Sequence, residues 1–296
     1  MRQSLVPLLR EIGDLKRVTS AGRSGSIAER AFRRAWADLL AGEPGEAVAL
    51  RTTADCLGAT RIGDLDEASL GPLGLSPDEV AALRRAALAG LRPLLDDALA
   101  DRLLDTVVPR SGAGPSQTLP AFVGALADQP RAGATCPGRA RIVLLPPENH
   151  AEHCLVVAVY AVLLAEPGCD LGTVFLAALA HHLHNASLPD AGFTGETLLG
   201  EHLEPVVERA TTDALGQLPP GLAAETERAR RILPDADTPE GRAFHAGDVL
   251  DRVLEIEQHV RRGQVTMEEV LGPMALVHDG PVKPFHDRVL TTMGLE

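Results

Sequence analysis

Apolar residues recur at helical spacing over much of the first third of the chain. One such stripe follows Ser26, a residue type that favours the first position of a helix, and stops before Gly42, a residue type common just beyond helix ends. A second stripe follows Ser76 in the same way, and Pro93 divides it because proline interrupts a helix interior. We therefore predict that residues 1–110 form an N-terminal helical region.

Two stretches of the chain are harder to assign from the pattern. Residues 43–75 contain short apolar segments that fit a strand as well as a helix. Residues 109–138 are rich in proline and glycine, which is typical of a connector or a surface loop. We take residues 111–138 as a connector that joins the N-terminal region to a C-terminal body, residues 139–296.

Three of the helices predicted in the C-terminal body bear on its chemistry. The first runs from about Glu148 to Ala165, and the second follows Asp170, another favoured helix start, and extends to about residue 185. The third has apolar residues at helical spacing, at Val249, Leu250, Val253, Leu254, Ile256 and Val260. Because helices account for most of the pattern and aromatic residues for only 3% of the chain, we predict an all-α fold.

Composition limits the function classes. A formal net charge of −13 argues against a nucleic-acid partner or an anionic membrane surface, although it leaves room for a local pocket for a small phosphorylated ligand. The four cysteines form no CxxC pair, which favours reduced thiols. The sequence shows neither a signal-peptide pattern nor an apolar run of about 18 residues. We expect a cytoplasmic protein.

Polar side chains interrupt the three apolar helices of the C-terminal body, where burial is costly unless they are paired or bind a metal. They are His150 and His153, then His181, His182 and His184, then Asp248 and Asp251. At about 100° per residue, His182 and His184 would lie on nearly opposite sides of a regular helix. Only His181 with His182, or His181 with His184, could then bind one ion.

The segments "ENHAEHC", "LAHHLHN" and "GDVLDRV" resemble the ligand segments of the HD superfamily of metal-dependent phosphohydrolases, and above all its bacterial 5′-deoxynucleotidase branch. The resemblance covers about residues 139–262. It implies that His153 is the first metal ligand, that His181 is the histidine of the "HD" pair, that His182 stands in place of its aspartate, and that Asp248 is the distal ligand.

A cluster of imidazoles and a carboxylate suits one divalent transition metal, namely zinc, cobalt, nickel, manganese or iron. The resemblance implies an HD-type helical domain that hydrolyses a nucleotide or another small phosphate ester. Arg139 and Arg141 precede the first ligand helix and are candidates for binding the phosphate. The expected partner is therefore a small phosphorylated substrate, without nucleic acid or membrane, and a homodimer is one state that the sequence leaves open.

Two departures from the family pattern bear on the chemistry. A histidine in place of the aspartate, at His182, favours a single metal because an imidazole normally binds through one nitrogen. Asn185 stands where the related nucleotidases have a glutamate as general acid. Asp190 occupies the place of a second carboxylate, and His184 has a side chain that exchanges protons near neutral pH. These two are our candidate catalytic residues.

Two alternative functions remain open at this point. The altered pair and Asn185 would also suit a degenerate HD module that binds a ligand or partner without catalysis. A further histidine downstream, His202, is a feature of the HD-type iron oxygenases, which gives a second alternative. We further expect His150 to be an exposed loop residue, and Asp251 to lie on a solvated face or in a salt bridge.

Overall fold

The computed structural model describes residues 3–109, 118–234, 236–261, 268 and 283–293. The part of the predicted connector at residues 111–117 lies outside them. Within the described residues the regular elements are helical, which confirms the all-α class. The α-helices are α1 Val6–Asp14, α2 Ile27–Leu40, α3 Gly45–Ile62, α4 Glu67–Leu70, α5 Pro77–Ala89, α6 Asp97–Asp105, α7 Ala121–Asp128, α8 His150–Leu164, α9 Leu171–Ala180, α10 Gly192–Leu199, α11 Leu203–Leu215, α12 Pro220–Ala229, α13 Pro239–Arg261 and α14 Lys283–Met293.

The predicted helix starts are confirmed by their capping hydrogen bonds. The Ser26 hydroxyl accepts a hydrogen bond from the backbone NH of Glu29 at the start of α2. Ser76 and Glu79 form a reciprocal capping box at the start of α5. Residues 43–75, which the pattern left undecided, are mainly helical and contain α3 and α4. Local capping therefore sets these boundaries.

Helices α8 and α9 lie at the centre of the core. All side chains of α8 from His150 to Leu163 are buried, and so are those of α9 from Val174 to Ala180. Helices α2 and α3 pack against this pair. Among the described residues, no helix has both the length and the apolar character that crossing a membrane requires.

The segment taken as a connector contains a core helix. Helix α7 buries Phe122, Val123 and Leu126, and the ring of Phe122 meets Trp36 of α2 edge to face, with centroids 5.0 Å apart. Proline and glycine flank this helix and led the pattern to suggest a loop, whereas burial of its apolar side chains holds it in the core.

The chain forms two compact units, residues 1–254 and 255–296. The N-terminal helices and helices α8 to α12 share the first unit, so the predicted connector does not separate two compact bodies. One link within this unit is the hydroxyl of Tyr160 in α8, which donates a hydrogen bond to the carbonyl of Leu9 in α1.

Helix α13 buries only part of the apolar pattern in its sequence. Leu250 and Leu254 pack against the core, whereas Val249 and Val253 are 48% and 57% exposed. Asp251, expected on a solvated face or in a salt bridge, is buried with only 1% of its surface exposed and does form a salt bridge. The helix therefore presents carboxylates to the interior, because buried partners compensate their charge there.

Gly247 lets α13 approach α8 closely. A Cβ atom at this position would lie 2.9 Å from the carbonyl oxygen of Val157 and 3.1 Å from the backbone nitrogen of Ala161. Both contacts are with backbone of α8, which cannot move aside as a flexible side chain could. The absence of a side chain at Gly247 therefore brings the following residue, Asp248, within reach of α8.

We predict that Gly247→Ala lowers the free energy of unfolding by about 1–3 kcal/mol, because the added methyl group forces the two helices apart. Gly58→Ala is the matched control, since Gly58 also lies inside a helix but a Cβ there meets nothing within 4 Å. That variant should be as stable as the wild type or more stable by about 0.5–1 kcal/mol. Urea denaturation measures both, and equal stabilities for the two variants would contradict the close approach.

Candidate metal centre

Three helices bring the predicted ligands together. His153 lies on α8, His181 and His182 follow the end of α9, and Asp248 lies on α13. One nitrogen from each of the three histidines lies within 4.8 Å of the other two. Helix α9 ends at Ala180, so the two consecutive histidines are not on the regular helix that our geometric argument assumed. The structure nevertheless places His181 and His182 in the same cluster, and this is one of the two pairs that the argument allowed.

His153 is fully buried, and the proton of its ring has a defined acceptor. Its Nδ1 lies 2.7 Å from Oδ2 of Asp251, so Nδ1 donates to this carboxylate. In the neutral ring the Nε2 nitrogen then carries a lone pair. This Nε2 lies 3.5 Å from Oδ1 of Asp248.

His181 is arranged in the same way. Its Nδ1 donates to the backbone carbonyl of Ala178 at 2.6 Å, which leaves the Nε2 lone pair free. The Nε2 atoms of His153 and His181 lie 3.1 Å apart. Because both ring protons are already used on the Nδ1 side, neither neutral ring can donate to the other.

This separation fits a bound metal ion. Two nitrogens bound to one zinc ion at 2.0–2.1 Å lie about 2.8–3.4 Å apart when the angle at the metal is between octahedral and tetrahedral values. The facing lone pairs of His153 and His181 therefore have the spacing of two ligands of one cation, with the carboxylate of Asp248 beside them.

His182 also has a defined tautomer. Its Nδ1 donates to Oδ1 of Asn185 at 2.8 Å, and the amide of Asn185 donates in turn to the carbonyl of Leu188. Its Nε2 accepts a hydrogen bond from Nη1 of Arg131 at 2.9 Å. Asn185 thus orients His182, and His182 can bind a metal only if Arg131 moves away.

Burial and charge determine the protonation states of these groups. Burial, followed by the charges of neighbouring imidazoles, lowers the pKa of His181 and His182 well below the ordinary value, so both rings are neutral at pH 7. Burial alone would raise the pKa of Asp248, but the neighbouring side chains of His153, His181 and Arg252 lower it below its ordinary value. Neutral imidazoles beside an ionised carboxylate are the forms that bind a metal.

A buried lysine lies behind the cluster. Lys16 forms salt bridges with Glu148 and with Asp251, and their oxygen atoms together with His153 form a second group with metal-like spacing. The ammonium group already supplies a positive charge there. Burial alone would raise the pKa of Asp251, but the charge of Lys16 and the hydrogen bond from His153 lower it.

His184, one of the two catalytic candidates, lies close to the cluster. Its ring centroid is 5.4 Å from that of His182. Its Nδ1 is buried and has no hydrogen-bond partner among the described residues. Burial, followed by the charge of Arg230, lowers its pKa to about 4, so the ring is neutral at pH 7.

Asp190, the other catalytic candidate, is held by backbone hydrogen bonds. Its two carboxylate oxygens accept from the NH groups of Ala132 and Gly192, each at 2.9 Å. It also lies 3.6 Å from Nε2 of His150 and 4.0 Å from Nε of Arg131. The carboxylate therefore anchors the segment that carries Arg131 beside the histidines.

His150 is buried, so our expectation of an exposed loop residue was wrong. The residue begins α8, and its backbone NH donates to the carbonyl of Gln129, which shows that the preceding segment folds over this helix start. Its ring centroid lies 4.8 Å from that of His182. Neither ring nitrogen has a hydrogen-bond partner within the described parts of the chain.

The remaining predicted residues lie on the surface. Arg139 and Arg141 have exposed side chains, and Arg141 donates to the carbonyl of Ala191 at 3.4 Å. His202, on which the oxygenase alternative depended, is exposed on a 3₁₀ turn. Sequence reasoning missed Arg131, because its segment has the composition of a loop and no motif marks this arginine.

Comparison of the chain with protein-family models, with curated proteins and with solved structures found no match. The interpretation of the site therefore depends on the geometry of His153, His181, His182 and Asp248 and on the chemistry of their partners.

We predict that the metal-free protein loses stability as the pH falls below about 6.5. Burial lowers the pKa of His150 to about 2 and that of His184 to about 4 in the folded state, against an ordinary value of 6.5. Between these values the unfolded chain binds protons that the folded chain does not bind. Each group then lowers the free energy of unfolding by up to about 1.4 kcal/mol per pH unit.

Urea denaturation in the presence of a chelator, at several pH values between about 7 and 5, measures this dependence. His150→Leu should make it shallower because one of the buried histidines is gone. His202→Asn is the control, since this histidine is exposed, and it should leave the slope unchanged. If the free energy of unfolding depends on pH equally in His150→Leu and in the wild type, then His150 binds protons in the folded state as it does in the unfolded chain, and the prediction is contradicted.

Proposed function

We propose that this chain is a metal-dependent phosphohydrolase of the HD type, acting on a nucleotide or another small phosphate ester. His153, His181 and Asp248 would hold one divalent transition metal, and His182 would join them when Arg131 turns away. The observation that carries this proposal is the 3.1 Å approach of two Nε2 lone pairs, each left free by a hydrogen bond on the Nδ1 side of its ring.

A metal accounts for this arrangement better than a buried polar network does. In a satisfied network one ring of each contacting pair donates a proton to the other. His153 and His181 both donate elsewhere, so a cation between their Nε2 atoms removes the repulsion. A divalent ion bound there would polarise a phosphoryl oxygen and lower the pKa of a bound water.

The surroundings of the cluster favour a phosphate ester as substrate. Arg131 places a guanidinium group, the side chain best suited to phosphate oxygens, 2.9 Å from His182. Its Nε lies 3.7 Å from the carboxylate of Glu148, which limits its movement. His184, neutral at pH 7 and with a free Nδ1, is the group we propose to accept a proton during hydrolysis.

A non-catalytic HD module is the second candidate, and two contacts favour it. Arg131 occupies the Nε2 lone pair of His182, which keeps this histidine from binding a metal. Asn185 is buried and holds His182 from the other side, in the position where the family's general acid would stand. Such a site would bind an anionic ligand through Arg131 without hydrolysing it.

We predict that the purified protein binds about one zinc or cobalt ion per chain, and that His153→Ala and His181→Ala each weaken this binding at least about a hundredfold. Isothermal titration calorimetry on the protein first treated with a chelator measures both quantities. His202→Ala is the matched control, because it removes an exposed histidine and should leave the affinity unchanged. A wild-type protein that accepts no transition metal would contradict the proposal.

His182→Asp separates the enzyme from the non-catalytic module. If the histidine pair belongs to a working site, this variant should lose at least about tenfold of the phosphatase activity, because Arg131 and Asn185 no longer hold the substituted side chain as they hold an imidazole. Release of inorganic phosphate from a panel of nucleoside monophosphates and simple phosphate esters measures the activity. An inactive wild type with an active His182→Asp variant would instead identify a degenerate site.

A further inference from the structure

Lys16 is a buried cation supplied by the N-terminal region. It follows the end of α1, and only 1% of its side chain is exposed. Its ammonium group donates to Oδ1 of Asp251 at 2.6 Å and to Oε2 of Glu148. Burying such an ion triad removes the hydration of all three charges, and a well-packed apolar set is often at least as stable. Stability alone therefore gives little reason for a lysine here.

Asp251 connects this lysine to the candidate metal centre. One of its oxygens, Oδ1, accepts from Lys16, and the other, Oδ2, accepts from Nδ1 of His153 at 2.7 Å. A carboxylate held by a fixed cation at one oxygen cannot rotate freely, so its second oxygen stays opposite the imidazole. The proton of His153 then remains on Nδ1, and the lone pair on Nε2 faces the site.

Glu148 connects the same lysine to the first ligand helix. It immediately precedes Asn149, the capping residue of α8, and its backbone carbonyl accepts from the NH of Arg131 at 2.9 Å. Lys16 thus contacts one carboxylate at the start of α8 and one on α13. These are two of the three elements that supply the candidate ligands.

We propose that Lys16 is a positioning residue for the metal centre, which acts through Asp251 to orient His153. The N-terminal region thereby completes a site whose ligands all come from the C-terminal part of the chain. This inference rests on the proposed function, because His153 is a ligand only if a metal binds. Its structural part, the control of the His153 tautomer, can be measured without metal.

The variant Lys16→Met tests the proposal, because it keeps most of the length of the side chain and removes the charge. In the metal-free wild type, long-range ¹H–¹⁵N NMR should show His153 as a single tautomer protonated at Nδ1. In Lys16→Met we expect a mixture of tautomers, since Asp251 is free to rotate. Competition with a fluorescent chelator should show about 10–100-fold weaker zinc binding.

Arg84→Met is the matched control. Arg84 is a second largely buried cation, with 9% of its side chain exposed, and it also pairs with two carboxylates, Asp55 and Glu67. Its removal should destabilise the fold while leaving the His153 tautomer and the zinc affinity unchanged. The double variant Lys16→Met with Glu148→Gln leaves less unpaired buried charge, and the same shifts are expected in it if the single variant does not fold.

The possible results separate the two proposals. A folded Lys16→Met or double variant with the wild-type tautomer and zinc affinity within about twofold would overturn the positioning role. So would a wild-type His153 protonated at Nε2. If the wild type binds no zinc but the tautomer still changes in the variant, the proposed function fails and the control of His153 by Lys16 stands.

Discussion

The hydrogen bond from Nδ1 of His153 to Asp251 determines which nitrogen of a fully buried imidazole faces the candidate site. The orientation of α13 follows from it, because this helix must turn its carboxylates inward and leave apolar residues such as Val253 exposed. Gly247 allows the necessary approach to α8, and Lys16 compensates the buried charge of Asp251. Without this hydrogen bond the ring proton of His153 could move to Nε2, and the Nε2 lone pair would no longer face that of His181.

Much of the helical fold could be predicted because helix starts depend on local contacts. Ser26 and Ser76 cap their helices through backbone groups three residues away, so the sequence contains the whole interaction. The end of α9 before His181 and the helix α7 could not be predicted in this way. Both depend on burial against residues distant in sequence, such as Trp36 for Phe122, and a local pattern does not contain those contacts.

The candidate ligands could be predicted from the sequence, whereas their partners Lys16 and Arg131 could not. His153, His181 and Asp248 are polar residues within or next to apolar stretches of the sequence, and such residues need a compensating partner when buried. Lys16 and Arg131 lie in stretches where a charged residue usually meets solvent, and their partners are far away in the sequence. The same limit applies to α13, because its apolar pattern does not contain the ion pair that places Asp251 inside while Val249 and Val253 are exposed.

The central claim is that His153 and His181 share one metal ion, and anomalous X-ray diffraction tests it most directly. Crystals grown with zinc and measured on both sides of its absorption edge would locate the ion. The account predicts one anomalous peak within bonding distance of both Nε2 atoms and of the Asp248 carboxylate. An absent peak, with the two nitrogens still facing each other at about the observed 3.1 Å, would contradict it and would require a shared proton instead.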